Sequence, residues 1–280
     1  MSQQKSRLGD PVRLSQARAI AHAAVQPLTR AARANLPAAA DDSHSNLEWS
    51  VDHQMFLSHP LGPGDTPNQA GLSLAPLRLV LLRDGEPLDE LTLAGQRLAR
   101  VTDWLDNRLR EIGLDPGAAV DLPYALPEDA AAIDRFGDDD PGLPALAAWF
   151  SLAATVLTEF ARTYTGIDPG PSAVRCWPHH FDIATYVGLE RGDPETAKGI
   201  GVGLSPGDDS YNQPYFYVNP WPHLDATALP DPIAPGHWHT EGFVGAIATG
   251  REILTGDDPA ATAATFLHDS FAAGRESLRA

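Results

Sequence analysis

The spacing of apolar residues predicts four helices, because apolar side chains recur every three or four positions in four stretches of the chain. The stretches are residues 11–35, 95–112, 144–162 and 258–275. Pro27 predicts an interruption of the first helix, since proline lacks the amide hydrogen that the helical ladder needs. Gly113 predicts the end of the second helix, and Asp258 before Pro259 predicts the start of the fourth.

Alternating or continuous apolar residues predict β-strands between these helices. The strands are 47–58, 72–83 and 88–93 in the first half of the chain, and 173–188, 198–205, 213–220 and 236–244 in the second. The run Arg83-Asp-Gly-Glu86 predicts a hairpin turn. Each half therefore follows the order helix, strands, helix. We predict an α+β fold with mixed or antiparallel sheets and flanking helices, arranged as two similar halves.

An acidic stretch rich in proline and glycine, residues 114–143, predicts the connection between the halves. The first α+β half is then 1–113, and the second, which carries the candidate site, is 144–280. A second proline-rich stretch, 223–236, is either a lid over that site or a surface loop.

Charge and cysteine content narrow the class of protein. The chain has 20 Lys and Arg against 37 Asp and Glu, a net charge of −17, which disfavours nucleic acid and anionic membrane surfaces as partners. Cys176 is the single cysteine, which excludes an intramolecular disulfide and a thiolate zinc cluster. The polar N-terminus lacks an apolar signal core, and helix 144–162 has a polar side. We expect a cytoplasmic protein whose oligomeric state the sequence leaves open.

Two short segments, Trp177-Pro-His-His-Phe-Asp182 and His237-Trp-His-Thr-Glu241, carry the candidate chemistry. If the first is extended, His180 and Asp182 share one face of a strand, because side chains two positions apart point the same way. If the second is extended, His237, His239 and Glu241 share a face. Two alternatives remain: Asp182 caps a turn or pairs with Arg175, or Thr240 caps a helix that starts at Glu241.

Imidazoles and carboxylates held together predict either a metal site or an acid–base site. The candidate residues for both are His180, Asp182, His239 and Glu241. As metal ligands they would suit a divalent ion such as zinc, iron or manganese. As catalytic groups they would exchange protons with a substrate.

Aromatic and polar residues near these segments predict contacts with a small organic ligand. Tyr215, Tyr217 and Asn219 alternate with apolar residues, so they would line one face, although tyrosines are also ordinary strand residues. Arg175 and Trp177 complete the predicted substrate contacts. The sequence thus predicts an enzyme that uses metal-assisted hydrolysis or proton transfer. The alternative is a non-catalytic small-molecule-binding or scaffold protein with structural histidines.

Two stretches, Arg175-Cys-Trp-Pro-His-His-Phe-Asp-Ile-Ala184 and Pro214-Tyr-Phe-Tyr-Val-Asn-Pro-Trp-Pro222, carry a family resemblance. They resemble the motifs H-F-F-W-G-S-F-D-L-A and P-A-F-Y-A-Y-A-Y-P of a functionally uncharacterised bacterial family. The resemblance implies an α+β architecture and supplies no activity. His179 and His180 stand where that motif has Gly-Ser, so a histidine site would be particular to this chain or its near relatives.

Overall fold

The computed structural model describes residues 3–62, 67–137, 140–193, 196–231 and 233–279. Residues 138–139 of the predicted connection and residue 232 of the predicted loop 223–236 lie outside this part. The chain forms two compact units. Unit 1 consists of Met1–Arg13, Leu152–Val174 and Asp182–Ala280, and unit 2 consists of Leu14–Ser151 and Arg175–Phe181.

The described residues contain seven α-helices, including the four predicted ones. The helices are α1 (Gln3–Leu8), α2 (Ser15–Asn35), α3 (Leu98–Glu111), α4 (Glu128–Ala131), α5 (Leu143–Thr163), α6 (Gly250–Ile253) and α7 (Pro259–Ser277). The predicted interruption at Pro27 is wrong, because α2 runs through it. Most of α2 is buried, and this packing offsets the roughly 3 kcal/mol that an internal proline costs. Asp258 caps α7 as predicted, accepting hydrogen bonds from the Ala260 and Ala261 amides.

Twelve strands lie between the helices in the described residues. They are β1 (Glu48–Ser50), β2 (Met55–Leu57), β3 (Asn68–Leu74), β4 (Leu77–Arg83), β5 (Glu86–Thr92), β6 (Gly170–Pro171), β7 (Arg175–Trp177), β8 (Asp182–Gly188), β9 (Gly199–Ser205), β10 (Tyr215–Trp221), β11 (His237–His239) and β12 (Gly245–Thr249). The predictions of single strands over 47–58, 72–83, 173–188 and 236–244 are wrong, since a turn or bend divides each. The apolar pattern does not reveal these tight turns, because the segments on both sides of each turn are apolar.

Unit 2 contains an antiparallel sheet in the order β1-β2-β3-β4-β5. The predicted hairpin turn joins β4 to β5, and Asp84 and Gly85 both have positive φ, 54° and 78°, as a two-residue turn requires. Aromatic rings fill its core. The ring centroids of Phe56 and Phe150 are 4.8 Å apart, and those of Phe150 and Phe181 are 5.2 Å apart.

Unit 1 contains a second antiparallel sheet, in the order β11-β12-β10-β9-β8-β6. Helix α7 packs on one face. A Cβ atom built on Gly274 of α7 would lie 2.9 Å from Pro220 and 3.6 Å from Ile200, so α7 crosses β9 and β10 at this glycine. The protein therefore has an α+β fold with antiparallel sheets and flanking helices, as predicted.

Within the described ranges, one helix, Leu143–Thr163, is long and apolar enough to cross a membrane by length and composition alone. Two thirds of its apolar stretch (67%) is buried, as in the core helix of a soluble protein.

Candidate functional site

The face of the unit 1 sheet opposite α7 gathers polar and aromatic side chains from three strands, β8, β10 and β11. Residues paired in register on antiparallel strands point to the same face. Tyr217 pairs with Gly203 and Ile247, and Ile247 pairs with His237. We call this the tyrosine face; its principal residues are Tyr186, Gly199, Gly201, Gly203, Tyr215, Tyr217, Asn219, Trp221, His237 and His239.

Two glycines let side chains of β10 lie directly on the backbone of the tyrosine face. A Cβ atom on Gly203 would come within 2.6 Å of the Tyr217 ring, and one on Gly245 would lie 1.9 Å from Asn219 Oδ1. Both contacts exclude any larger residue unless the neighbouring side chain moves. Tyr215, Tyr217 and Asn219 thus share one face, the placement that the sequence predicts for them.

Tyr211 connects two histidines at the β11 edge of the sheet. Its hydroxyl oxygen lies 2.9 Å from His237 Nε2 and 2.9 Å from His239 Nδ1. His237 and His239 lie on β11, so they share a face as the extended interpretation predicts. The helix that Thr240 would cap does not form. All three rings of this group are half-buried.

The Glu241 carbonyl sets the direction of these hydrogen bonds. It lies 2.6 Å from His239 Nε2, and a carbonyl only accepts, so Nε2 carries hydrogen. In the neutral ring Nδ1 is then an acceptor, and the Tyr211 hydroxyl donates to it. The Tyr211 oxygen in turn accepts from His237 Nε2. Hydrogen bonds therefore run from His237 through Tyr211 and His239 to Glu241.

Carboxylates lie beside this series of hydrogen-bonded residues at two points. His237 Nδ1 lies 3.7 Å from Glu252 Oε1, an ion-pair distance when the imidazole is protonated. Asp208 accepts from the Tyr211 amide (3.0 Å) through Oδ1 and from the Tyr215 hydroxyl through Oδ2. We call Asp208, Tyr211, His237, His239 and Glu252 the Tyr211 cluster.

The phenols of this region stay protonated at neutral pH. Burial raises the pKa of Tyr211, and the negative charges of Glu252 and Asp208 raise it further. Burial and the hydrogen bond to Asp208 raise the pKa of Tyr215 well above its usual value. The Tyr217 hydroxyl donates to Asp182, which places one predicted catalytic carboxylate on the tyrosine face. Each phenol is therefore a hydrogen-bond donor rather than a charged group.

The predicted strand pairing of His180 with Asp182 is wrong. Residues 178–181 form a turn between β7 and β8, in which the Phe181 amide donates to the Trp177 carbonyl (2.7 Å) and Phe181 has φ 58°. The alternation of strand faces is lost across such a turn. His180 is exposed and belongs to unit 2, whereas Asp182 begins β8 in unit 1.

The predicted strand position of Glu241 is also wrong, because β11 ends at His239. Glu241 lies in a bend before Gly242, whose φ of 86° turns the chain away from extended geometry. Its side chain is exposed, and it is the backbone carbonyl that contacts His239.

The predicted metal ligands do not form a ligand group. Across the described residues, no set of three or more His, Cys, Asp and Glu side chains is arranged to hold a metal ion. The predicted set of His180, Asp182, His239 and Glu241 is therefore not assembled as a metal centre in that part of the chain.

The other two predicted substrate contacts, Arg175 and Trp177, lie on β7 of unit 2. The Arg175 guanidinium is 3.7 Å from the Glu48 carboxylate, and Trp177 packs edge-on against His179, with ring centroids 6.0 Å apart. Both side chains are half-buried.

A second group of histidines lies in unit 2 around the turn at Pro178. His22 is only 3% exposed, and its Nε2–H donates to the Pro178 carbonyl at 2.8 Å. Burial lowers the pKa of His22 from 6.5 to about 4. Burial, followed by the neighbouring His180, lowers the pKa of His179 to about 4 as well. His22 is buried and His179 is half-buried, and both are neutral at pH 7.

No protein-family model, characterised protein or solved structure matches this chain. The resemblance to an uncharacterised bacterial family therefore stays a prediction. The site has to be judged on its own geometry.

The sequence pattern does not predict Tyr211, Asp208 and Glu252 as residues of the candidate site. Tyr211 follows Asp208 and Asp209 in the chain, and no local pattern there indicates the two histidines as its partners. Glu252 forms the capping box of α6 with Thr249, a local role that the Thr-x-x-Glu spacing does indicate. Its proximity to His237 depends on the pairing of β11 with β12, which no local pattern specifies.

Proposed function

We propose that this protein is an enzyme that transfers a proton to or from a small organic molecule at the Tyr211 cluster of unit 1. The observation that carries the proposal is the position of the Tyr211 hydroxyl, 2.9 Å from both His237 Nε2 and His239 Nδ1. Imidazole is the side chain best suited to proton exchange near neutral pH.

His237 is the proposed base. Its side chain is 44% exposed, which leaves the ring open to a ligand, and its Nδ1 faces Glu252. A proton taken up at Nδ1 forms an imidazolium beside that carboxylate, and the ion pair stabilises it. Nε2–H can then pass to the Tyr211 oxygen as the Tyr211 hydrogen passes to His239 Nδ1. Two imidazoles thereby share one proton.

Three further residues of the tyrosine face, all on β10, would bind the substrate. Tyr215, Tyr217 and Asn219 supply aromatic and amide groups on β10, two strands from β11 in the sheet order. The Tyr217–Asp182 hydrogen bond keeps the phenol fixed, so it orients a ligand without exchanging protons. Asn219 Oδ1 packs against Gly245, which fixes the orientation of the amide on this face.

The proposal also covers the class of substrate and the partners of the enzyme. A net charge of −17 supports a small-molecule substrate and argues against nucleic acid or an anionic membrane as a partner.

Hydrogen exchange into deuterated water tests the proposed activity without knowledge of the complete reaction. Ketones, 2-oxo acids and 2-hydroxy acids are incubated with the protein in D2O, and loss of the carbon-bound proton is followed by proton NMR. We expect the wild type to accelerate exchange for at least one of these classes. Tyr211→Phe and His237→Asn should each lower that rate at least about 100-fold, the usual contribution of a general base.

A matched control is His268→Asn. Tyr164 and His268 form a separate Tyr–His pair in unit 1, with the hydroxyl 3.0 Å from Nδ1. Loss of that pair should leave exchange unchanged. Equal rates in wild type, Tyr211→Phe and His237→Asn would contradict the proposal.

Non-catalytic binding of a small molecule is the second candidate. Tyr215 and Tyr217 already donate to Asp208 and Asp182, so these contacts serve a binding surface as well as an active site. Compounds that bind without any exchange of their protons would favour it.

A further inference from the structure

A groove at the opposite end of the β10 strand has a different composition from the Tyr211 cluster. It encloses about 520 Å³ in unit 1, within the range of small-ligand sites. Tyr186 on β8 and Trp221 at the end of β10 form its aromatic surface, with Pro169 and Pro171 beside them. Trp221 is six residues from Tyr215, about 20 Å along an extended strand, so the groove is distinct from the Tyr211 cluster.

Glycines of β9 bring the two aromatic side chains to one surface. Gly199 pairs with Gly188 and Trp221, so no side chain separates β8 from β10 at this level. A Cβ atom on Gly199 would lie 2.1 Å from the Tyr186 hydroxyl, so the Tyr186 ring reaches across β9 toward Trp221. The two residues therefore lie on the same face of the sheet and line one groove.

This aromatic surface is open to solvent. Tyr186 is 42% exposed and is one of three exposed large hydrophobic residues in the described part of the chain. Its hydroxyl makes no hydrogen bond to another described residue. An exposed aromatic ring in a concave site commonly marks ligand binding rather than packing.

The polar rim carries no net charge. Lys198 Nζ lies 4.0 Å from the Glu190 carboxylate and donates to the Leu278 carbonyl at 2.6 Å. Ser172 adds a hydroxyl at the same rim. Because the two charges cancel, the rim offers no net counter-charge to a charged ligand, and the net charge of −17 on the whole chain repels anions.

We propose that the Tyr186–Trp221 groove binds a neutral saccharide. The carbon-bound hydrogens on one side of a pyranose ring are weakly positive and pack against the negative face of an aromatic ring. Its hydroxyls both donate and accept, so they match the Tyr186 hydroxyl, Ser172, and the Glu190–Lys198 pair. The open shape suits one or two rings of a longer oligosaccharide.

Saturation-transfer NMR with maltotriose, cellotriose and chitotriose tests this proposal on the full-length protein. We expect at least one trisaccharide to bind with a dissociation constant on the order of 1 mM, since an open groove leaves much of the ligand in water. The ring hydrogens of one sugar face should receive the strongest saturation. Glucuronate and choline, an anion and a cation, should bind more weakly.

Amino-acid substitutions test whether the saccharide binds in this groove. Trp221→Ala should weaken saccharide binding at least about tenfold, as removal of a central aromatic contact does. Trp221→Phe keeps an aromatic ring and should retain part of the affinity, which separates lost stacking from misfolding. Gly199→Ala should also weaken binding, because the new methyl group displaces the Tyr186 ring. Leu88→Ala, at an exposed hydrophobic residue of unit 2, is the matched control and should bind as the wild type does.

Three results would overturn the proposal: no trisaccharide binds at millimolar concentration, Trp221→Ala binds as well as wild type, or choline or glucuronate is preferred. None of these measurements uses the proton-exchange assay. If the saccharide experiments fail, the proposed function at the Tyr211 cluster is unaffected. If the proton-exchange experiments fail, the proposed saccharide binding in the groove is unaffected.

Discussion

The two histidine groups of this protein differ in their exposure to solvent. His22 in unit 2 is 3% exposed and donates to a backbone carbonyl, and burial lowers its pKa to about 4. His237 and His239 in unit 1 are half-buried, and both contact the hydroxyl of Tyr211. A buried neutral imidazole stabilises the fold, whereas an accessible one can exchange a proton with a ligand. Solvent access, rather than residue type, distinguishes His22 from His237 and His239.

Neighbouring groups reinforce the difference. The groups of the hydrogen-bond network around His22 are neutral: the Gln26 amide also donates to the Pro178 carbonyl, at 3.2 Å, and the Tyr124 hydroxyl donates to Gln26 at 2.8 Å. Near His237 a carboxylate, Glu252, lies at ion-pair distance. A proton on His22 has no nearby counter-charge within this network, while a proton on His237 has one.

The largest expected effect is loss of the buried imidazole. His22→Ala should lower the free energy of unfolding by about 3 kcal/mol, because it removes a hydrogen bond and leaves a cavity beside Phe181, which stacks on the His22 ring at 5.1 Å. Urea denaturation followed by circular dichroism measures the change. His53→Ala, at an exposed histidine of the same unit, should change stability by less than about 0.5 kcal/mol. Equal effects in the two variants would remove the distinction between buried and exposed histidines.

Acid should destabilise the protein through His22 by a similar amount. Its pKa is about 4 in the folded state and 6.5 when unperturbed, so between these values the unfolded chain binds more protons. The contribution is fully present above pH 6.5 and is lost as pH falls toward 4. At about 1.36 kcal/mol per pH unit, the whole window corresponds to about 3 kcal/mol. Denaturation curves across this range should be less steep in pH for His22→Asn than for wild type, and an unchanged pH dependence would contradict the assignment.

A smaller effect is expected from the Tyr211 hydroxyl. Tyr211→Phe removes both hydrogen bonds to the histidines in a half-buried site, which should cost about 1 kcal/mol. Imidazole NMR signals report the change directly: His237 and His239 should both shift, while His268 should not. A shift of one histidine alone would show that the hydroxyl does not connect the pair.

The smallest stability effect is expected at His237. The ring is 44% exposed, so His237→Asn should change the free energy of unfolding by less than about 0.5 kcal/mol. Its proton-exchange activity, however, should fall as far as that of Tyr211→Phe. A stability loss as large as that of His22→Ala would place His237 among the structural histidines.

Local sequence signals predicted much of the fold. Asp258 and Pro259 start α7 where predicted, and Asp84-Gly85 forms the predicted hairpin turn. These features depend on residues next to one another, so their physics is contained in a short stretch of sequence. Pro27 shows the limit of such signals, because burial of the whole α2 helix overrides a local breaker.

The candidate site was predicted only in part, for the same reason. The alternation of Tyr215, Tyr217 and Asn219 is local and does place them on one face. The sequence predicts a strand at His180, because the apolar pattern does not reveal a four-residue turn. Tyr211 was missed because its two partners lie 26 and 28 positions away in the chain.

The sequence by itself determined the α+β class, the helix caps and the strand alternation, since each follows from neighbouring residues and their intrinsic conformational preferences. The tertiary structure decided which histidines are buried, which one faces Glu252, and which aromatic rings line one groove. Burial and proximity between residues far apart in the chain arise only when the strands pair. A linear pattern of residue types does not specify that pairing.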